Sequence, residues 1–394
     1  MAIKTDILAG FITNFTTEHR LFREIQSLCS VGHTVMVVGF RDPEDTHFTL
    51  QHWKGIDTCC LTLVRKRLPG FLFFLLFMFK LFFKTLRSNA GIYLACDLPA
   101  LFPMALAARF TGARVVYDSR EVFTELPEIH NHALKKLFWT LLEKSALSKI
   151  TASICVCESD RQTLMHCHPS LTPVIIRNLP CLRPLVKTTL LRDRFSLDSN
   201  EPILLFQGTF LTSGGLEHLV PAAAHLNRGK LILIGSGPHE NKILSLIQRL
   251  GLENTVLHLP PIPFSELHPW TSSASIGICP ILPDGLNLEN ALPNKIFEYA
   301  MAGLPMVSTN LPEIRKLNDR FSFALLAEQP TPQGFADAIN QLIEDNTLRA
   351  RLAANARRMA EQLCWENEEQ RFLNLFKENE DVNLDSQTPH PDSV

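Results

Sequence analysis

The chain has 394 residues, 46% of them hydrophobic and 20% charged, with a formal net charge of -2. That length exceeds one ordinary core and suits two domains of roughly 150 to 200 residues each. The near-neutral balance excludes the basic field with which nucleic-acid binders neutralise phosphates, so no nucleic-acid partner is expected. Ten cysteines fall singly or as Cys59-Cys60 and Cys155-x-Cys157 within apolar runs, not in zinc-type pairs, and read as buried reduced thiols. The side chains of His166-Cys167-His168 point in different directions and make a poor metal set. Asn14-Phe15-Thr16 matches a glycosylation sequon, but no signal peptide precedes it, and both facts are read as favouring a cytoplasmic protein.

In chain order, short β-branched runs alternate with helical patterns: "DILAGFI", "HTVMVVGF", "TCCLTLV", "GIYLAC", "ARVVYDS" and "SICVCES". Such alternation predicts βα units around a parallel sheet covered on both faces. After "PVIIRNLP" comes the proline-bearing "CLRPLVKTTLLRDRFSLDSNEP", read as the hinge, and then the alternation restarts with "PILLFQG", "KLILIGSG", "NTVLHLP", "SIGICPI" and "PMVST". The expected domains are 1–182, 183–364, a helix at 365–377 packing back on the first domain, and a disordered tail at 378–394. Ligands of such sheets bind beyond the carboxyl ends of the strands, so a cleft between two doubly wound, Rossmann-like lobes is the expected active site.

The stretch Phe71 to Phe83 carries seven phenylalanines and is interrupted only by Lys80, yet it is shorter than the ~20 residues a spanning helix needs. On a helix Lys80, Lys84 and Arg87 share one side opposite a Phe/Leu/Met surface, with Arg65, Lys66 and Arg67 upstream. The pattern suits an amphipathic segment lying in an anionic membrane interface, with Phe73, Phe77, Lys80 and Lys84 as contacts. A core helix of the first lobe is the competing expectation.

Two glycine-bearing loops follow strands in the second half. Gly208, Thr209, Gly214 and Gly215 let backbone N–H groups approach a phosphate, and Gly235 and Gly237 repeat the device in the next unit. In "ALPNKIFEYAMAGLPMVST", residues 291–309, Pro293 or Asn294 starts a short helix, Gly303 follows its end and Pro305 prevents continuation. Lys295 and Glu298 share a face at i, i+3. They are either a surface ion pair or a pair in which Lys295 meets a diphosphate and Glu298 a ribose diol.

That segment resembles the donor-site motif of the retaining nucleotide-sugar glycosyltransferases of the GT-B fold, family 4, in the branch reading Pro-Asn-Lys-x-Phe-Glu-Tyr before Ala-Gly-x-Pro. "EHRLFREIQSLCSVGHTVMVV", "CDLPALFPMALAARFTGARVVYDSREVFTE", "VIIRNLP" and "FQGTFLTSGGLEHL" agree with the same family, so the resemblance runs over most of residues 1–375. It implies that Glu298 holds the nucleotide ribose, that Lys295 and Asn294 face the donor, and that Gly208 and Thr209 turn beside the diphosphate. It also implies that Leu259 to Ile262, Leu259 and Pro260 among them, flank the base and that the stretch Tyr117 to Glu121, including Arg120 and Glu121, faces the transferred sugar.

The sequence departs from the family at three places. Asn290, beside Glu289, stands where relatives place the first glutamate of an E-x7-E pair, and is read as a neutral partner for sugar hydroxyls. No Arg or Lys lies near Ser213-Gly214, which puts more of the leaving-group charge on Lys295 and backbone dipoles. Arg120 replaces a histidine and stays charged, so it suits an oxyanion or phosphate and not proton abstraction. The resemblance implies transfer of a hexose from a nucleoside diphosphate sugar to an acceptor hydroxyl with no metal or other cofactor. The expected acceptor is a lipid-linked saccharide in surface polysaccharide or glycolipid assembly, met on the inner face of the cytoplasmic membrane. A nucleotide-sugar 2-epimerase and a non-catalytic sugar-nucleotide-binding protein are the alternatives.

Overall fold

The computed structural model describes residues 5–16, 18–44, 49–64 and 68–377. The basic run at 65–67, the sequon side chain at 14 and the tail at 378–394 lie outside the described residues. The first lobe contains β1 (Ile7–Asn14), β2 (Val35–Arg41), β3 (Asp57–Thr62), β4 (Ile92–Cys96), β5 (Arg114–Asp118), β6 (Ile150–Cys155) and β7 (Val174–Ile175). Its helices are α1 (His19–Ser30), α2 (Gly70–Leu86), α3 (Leu98–Thr111), α4 (Pro127–His130), α5 (Ala133–Ala146) and α6 (Glu158–Cys167). The strands are all parallel, in the order β3-β2-β1-β4-β5-β6-β7. Core residues of α2, α3 and α5 cluster together on one face of this sheet, and those of α1 on the other.

After α7 (Leu190–Phe195) the second lobe begins with β8 (Ile203–Gln207), α8 (Leu216–Ala222), β9 (Lys230–Ile234), α9 (Glu240–Arg249), β10 (Val256–Leu259) and α10 (Phe264–Thr271). It continues with β11 (Ile276–Cys279), α11 (Leu286–Glu289), α12 (Asn294–Met301), β12 (Met306–Thr309), α13 (Pro312–Phe321), β13 (Ala324–Ala327), α14 (Pro332–Glu344) and α15 (Asn346–Gln362). The sheet is parallel in the order β10-β9-β8-β11-β12-β13. These are two Rossmann-like lobes, and every residue of β8, β11 and β12 is buried, as parallel strands covered on both faces require.

The last helix, α16 (Trp365–Asn374), lies on the first lobe beside α1. Trp365, Phe372 and Phe376 enter that lobe's core, Trp365 Nε1 donates to Ser27 Oγ at 2.9 Å, and Arg177 pairs with Glu368 at 3.1 Å.

The helix expected to touch a membrane is present as α2, but two of the residues expected at its surface, Phe73 and Phe77, are not on it. Phe73 and Phe77 are buried in the first-lobe core, Phe73 with its ring 5.1 Å from that of Phe40. Phe71, Leu72, Leu75, Phe79 and Phe83 are the exposed apolar positions. Lys80 Nζ donates to Thr62 O at 2.7 Å, and Lys80, Lys84 and Arg87 share a groove with Phe79 and Phe83 instead of opposing them. A helix apolar on nearly every side has no periodic signal to say which side is core; only the sheet beneath it decides. Among the described residues no helix is long and apolar enough to cross a membrane.

Within the second lobe Tyr299 anchors α12 to the sheet. It is fully buried over Gly277 of β11, where a Cβ would come within 2.5 Å of its ring. Its hydroxyl donates to Leu205 O at 3.0 Å and accepts the Gln207 N–H at 3.1 Å. Tyr299→Phe should therefore leave a buried N–H unpaired and destabilise the second lobe by about 1–3 kcal/mol, read as a lower midpoint in urea denaturation.

Candidate active site

In an open parallel sheet the strand order reverses at one point, and the adjoining loops part there to leave a crevice. The reversal lies between β1 and β4 in the first lobe and between β8 and β11 in the second. Thr13 and Asp97 from the first crevice and Gln207, Gly208 and Ile281 from the second line one shared cavity of about 670 Å³. That volume lies within the usual range of small-molecule sites, roughly 300 to 1,000 Å³.

The second-lobe wall is built by the ends of β8 and β11 and the start of α12. Pro293, in extended conformation, precedes α12, and Gly303 at φ 67° follows its end. Asn294 and Lys295 thus face the cavity at a helix N-terminus, which carries about half a positive charge. The Lys295 side chain runs over β8, its Nζ 3.9 Å from the centre of the Phe206 ring. At Gly208 a Cβ would lie 3.4 Å from that Nζ. Desolvation lowers the Lys295 pKa, against the opposing pull of Cys279 and Glu298. Among the described residues no ion pair joins Lys295 to Glu298. The Glu298 carboxylate instead accepts from Gln207 Nε2, and Gln207 Oε1 accepts from Thr271 Oγ1 at 2.7 Å, fixing the amide's orientation. Burial raises the Glu298 pKa, and the Gln207 hydrogen bond and Lys295 oppose that rise.

The first-lobe wall mixes the acids Glu18, Asp97, Glu121 and Asp160 with the guanidinium groups of Arg20, Arg23 and Arg120. Asp97 follows β4 with φ 65° and ψ 165°, a backbone conformation that disfavours any residue with a side chain. It stands at the N-cap of α3, yet its side chain makes no capping bond; Oδ1 accepts the Arg120 N–H at 3.2 Å and the carboxyl lines the cavity. Desolvation pushes its pKa up to about 7, against the pull of Arg120 and with the help of Glu121, Asp118 and Glu18. Sequence reasoning missed Asp97, because a left-handed backbone at a non-glycine residue leaves no mark in the residue pattern. Glu18, Arg20, Arg23 and Asp160 also line the cavity and were not anticipated.

Of the residues singled out in the sequence, Arg120, Glu121, Gly208, Thr209, Gly214, Asn294, Lys295 and Glu298 line the cavity. Arg120 is nevertheless committed elsewhere. Its Nε donates to Asp118 at 2.9 Å, its Nη1 to Glu18 at 2.5 Å, and its Nη2 lies 3.9 Å from Glu24. Arg20 completes the cluster through Glu24 at 2.8 Å and Asp118 at 2.9 Å. A guanidinium so surrounded stays charged and holds the wall together, its charge balanced by the carboxylates around it, with Nη2 left without a hydrogen bond.

Asn290 is corrected more sharply. It is buried, and its Nδ2 donates at 3.3 Å to Asp160 Oδ1 and to Thr163 Oγ1 of α6, so the amide joins the lobes and is not free to meet sugar hydroxyls. Neighbouring Glu289 is exposed and outside the cavity lining, whereas Asn287, Leu288, Ala291 and Leu292 contribute to it. The remaining glycines stand behind the wall. At Gly215 a Cβ would fall 1.7 Å from Pro280 O, and at Gly235 it would fall 1.9 Å from Gly208 O, so these positions admit only glycine because backbones touch there. Gly237 sits likewise against Phe210. Leu259 is a core residue and Pro260 is exposed, and neither lines the cavity. His168, from the suspected metal run, is buried against Glu143 at 2.8 Å, and among the described residues no group of three or more His, Cys, Asp or Glu side chains could hold a metal ion.

Comparison with known proteins gives this geometry a context. The sequence model of the family "Glycosyl transferases group 1" matches residues 187–359. D-inositol 3-phosphate glycosyltransferase of Xylanimonas cellulosilytica is 26% identical over 193 residues, which is 48% of this chain and 45% of that protein. The chain spans about half the length of the curated relatives it matches. Among solved structures, sucrose-phosphate synthase of Thermosynechococcus elongatus superposes with a TM-score of 0.78 at 18% identity over 94% of this chain and 98% of that one. HepE of Anabaena, crystallised with UDP-glucose, gives 0.76 at 19% identity over 94% and 98%. The chain therefore has the two-lobe GT-B fold, and its residues 187–359 resemble the glycosyl transferases group 1 family.

Proposed function

We propose that this protein is a retaining glycosyltransferase that moves a hexose from a nucleoside diphosphate sugar to an acceptor hydroxyl. The observation that carries this reading is the convergence, in one cavity between both strand-order reversals, of a cationic helix start with a carboxylate one turn on and, opposite them, the Asp97 and Glu121 carboxyls. A ribose diol would donate to Glu298, which Gln207 already holds in place, and the diphosphate would lie against Lys295, the Gly208-Thr209 backbone and the start of α12.

As the anomeric C–O bond breaks, negative charge grows on the departing diphosphate and positive charge on the sugar ring. Lys295, partly desolvated, stabilises the first of these more in the transition state than in the ground state. In this reading its charge and the helix dipole serve where other enzymes use a metal, and no cofactor is needed. Asp97 accepts a hydrogen bond from the incoming acceptor hydroxyl and orients it toward the same face from which the diphosphate leaves, and as the new C–O bond forms the hydroxyl proton passes to the departing diphosphate oxygen. Closure of the lobes excludes water and so limits donor hydrolysis. The acceptor in this reading is a lipid-linked saccharide of surface polysaccharide or glycolipid assembly, reached by a protein bound peripherally to the inner face of the cytoplasmic membrane.

The decisive test is donor-dependent transfer of radiolabelled sugar to membrane extract across a panel of sugar nucleotides. Glu298→Ala should weaken binding of the accepted donor by about tenfold to hundredfold, the worth of hydrogen bonds to a charged group; transfer equal to wild type would sink the assignment. Lys295→Ala should lower kcat by roughly 10² to 10³ while KM changes less, as loss of one leaving-group contact does.

Asp97 adds a pH dependence. Its carboxyl is neutral below and ionised above about 7, and the ionised form is the better hydrogen-bond acceptor. With donor saturating, transfer should therefore rise between about pH 6 and about pH 8, and Asp97→Asn should flatten that rise. A profile unchanged in the variant would remove Asp97 from the mechanism.

A further inference from the structure

The α2, α3 and α5 helices form one layer over the first-lobe sheet, and the outer surface of that layer is apolar. On α2, Phe71, Leu75, Phe79 and Phe83 recur every four residues, with Phe71 59% and Phe79 62% exposed. On α5, Leu134, Leu137 and Leu141 form a second stripe, 84%, 56% and 58% exposed, opposite the buried Trp139, Glu143 and Ala146. Phe110 at the end of α3 is 71% exposed. The stripes are joined, since the Phe71 ring lies 5.4 Å from Phe138 of α5 and Phe82 lies 6.4 Å from Phe110. Scattered single apolar residues on a surface need no explanation, but a continuous field over three neighbouring helices does.

The charges on this layer select what covers it. The three helices carry Lys80, Lys84, Arg109, Lys135, Lys136 and Lys144, of which Lys136 is paired with Glu125 at 2.7 Å, and Arg87 follows α2. Their single acid, Glu143, is buried against His168 and the Tyr117 hydroxyl. A chain of net charge -2 thus presents a face with cations and no exposed carboxylate on these helices. Two copies meeting through this face would oppose like charges. An anionic bilayer would accept both features at once, rings and leucines among the acyl chains and ammonium groups among the headgroups.

We infer that the outer face of α2, α3 and α5 is the surface on which the first lobe lies on an anionic phospholipid membrane. This rests on, and specifies, the peripheral-membrane part of the proposed function, and it assigns a second helix, α5, and a face of α2 that excludes Phe73 and Phe77. Because α2 and α5 both start where strands end, Phe71 and Leu134 sit at the cleft end of the lobe. A bilayer on this face would lie toward the end of the lobe at which the strands open on the cavity, and a lipid-linked acceptor would approach from there.

The test is flotation of the full chain with vesicles of phosphatidylcholine alone and with about 30% phosphatidylglycerol. Wild type should float with the anionic vesicles, weakly with the neutral ones, and less as salt is raised. The triple change Leu134→Glu, Leu137→Glu, Leu141→Glu and, separately, the pair Phe71→Glu, Phe79→Glu should each reduce flotation by roughly tenfold or more, with thermal unfolding unchanged because these side chains touch solvent. Lys80→Gln with Lys135→Gln and Lys144→Gln should remove the preference for anionic vesicles. Flotation unaffected by the α5 change, equal flotation with neutral vesicles, or a lipid-free dimer that the same changes dissolve would each overturn the inference. Transfer to a water-soluble acceptor should survive the α5 change while transfer to membrane extract falls. Loss of both would implicate the catalytic reading, so the two proposals fail separately.

Discussion

The Trp365 N–H donates to the Pro180 carbonyl at 3.0 Å, and much of the architecture follows from that contact. The chain crosses between the lobes at two described places, once after β7 and once between α15 and α16, and this bond ties the crossings side by side. Trp365, Phe372 and Phe376 sink into the first-lobe core, while α15 belongs to the second lobe, so neither crossing can move alone. The Arg177–Glu368 pair, about one-twentieth exposed on each side, adds directionality; breaking such a pair leaves a buried charge and is disfavoured. Pro180 itself lines the cavity, which places the tether at the edge of the cleft it holds.

Two parallel sheets held in this way present their strand carboxyl ends to each other, and further contacts fasten the facing edges. Asn290 reaches Asp160 and Thr163, Ser159 Oγ donates to Glu313 at 2.5 Å, and His19 stacks on Phe264 with ring centres 4.2 Å apart. These contacts are few and polar or small in area, in contrast to the apolar clusters within each lobe. That is the pattern of a cleft able to open without disturbing either core. Burial of Asp160 among them raises its pKa to about 6, against the stabilising bonds from Cys157 and Asn290.

Across the cleft the electrostatics are divided by lobe. The first-lobe wall gathers Glu18, Glu24 and Asp118 around Arg20 and Arg120, neutralising the guanidinium groups and leaving Asp97 and Glu121 toward the cavity. The second-lobe wall offers Lys295, a helix start and backbone amides. Desolvation acts on both in the same sense, raising Asp97 and lowering Lys295 toward their uncharged forms. A ligand that is anionic at one end and rich in hydroxyls at the other relieves both strains, and a nucleoside diphosphate sugar with its acceptor has that distribution.

The amino-acid sequence by itself determined what depends on neighbours along the chain. The alternation of short apolar runs with helical patterns yields parallel sheets, and Pro293, Gly303 and Pro305 bound α12, so Lys295 and Glu298 appear on one helix, one turn apart. The glycines at 208, 215 and 235 are legible as loops, although only packing shows that two of them exist to let backbones touch. What the tertiary structure decided are matters of partners distant in sequence. Asn290 looks like a sugar ligand until Asp160, 130 residues earlier, takes its amide; Arg120 looks free until Glu18 and Asp118 surround it. The outward face of α2 is set by the sheet beneath, because a helix apolar on nearly every side, with only Lys80 and Lys84 charged, has little preferred direction of its own. Asp97 becomes conspicuous only as a strained backbone at the meeting of β4 and α3, a property of three-dimensional closure that no residue pattern encodes.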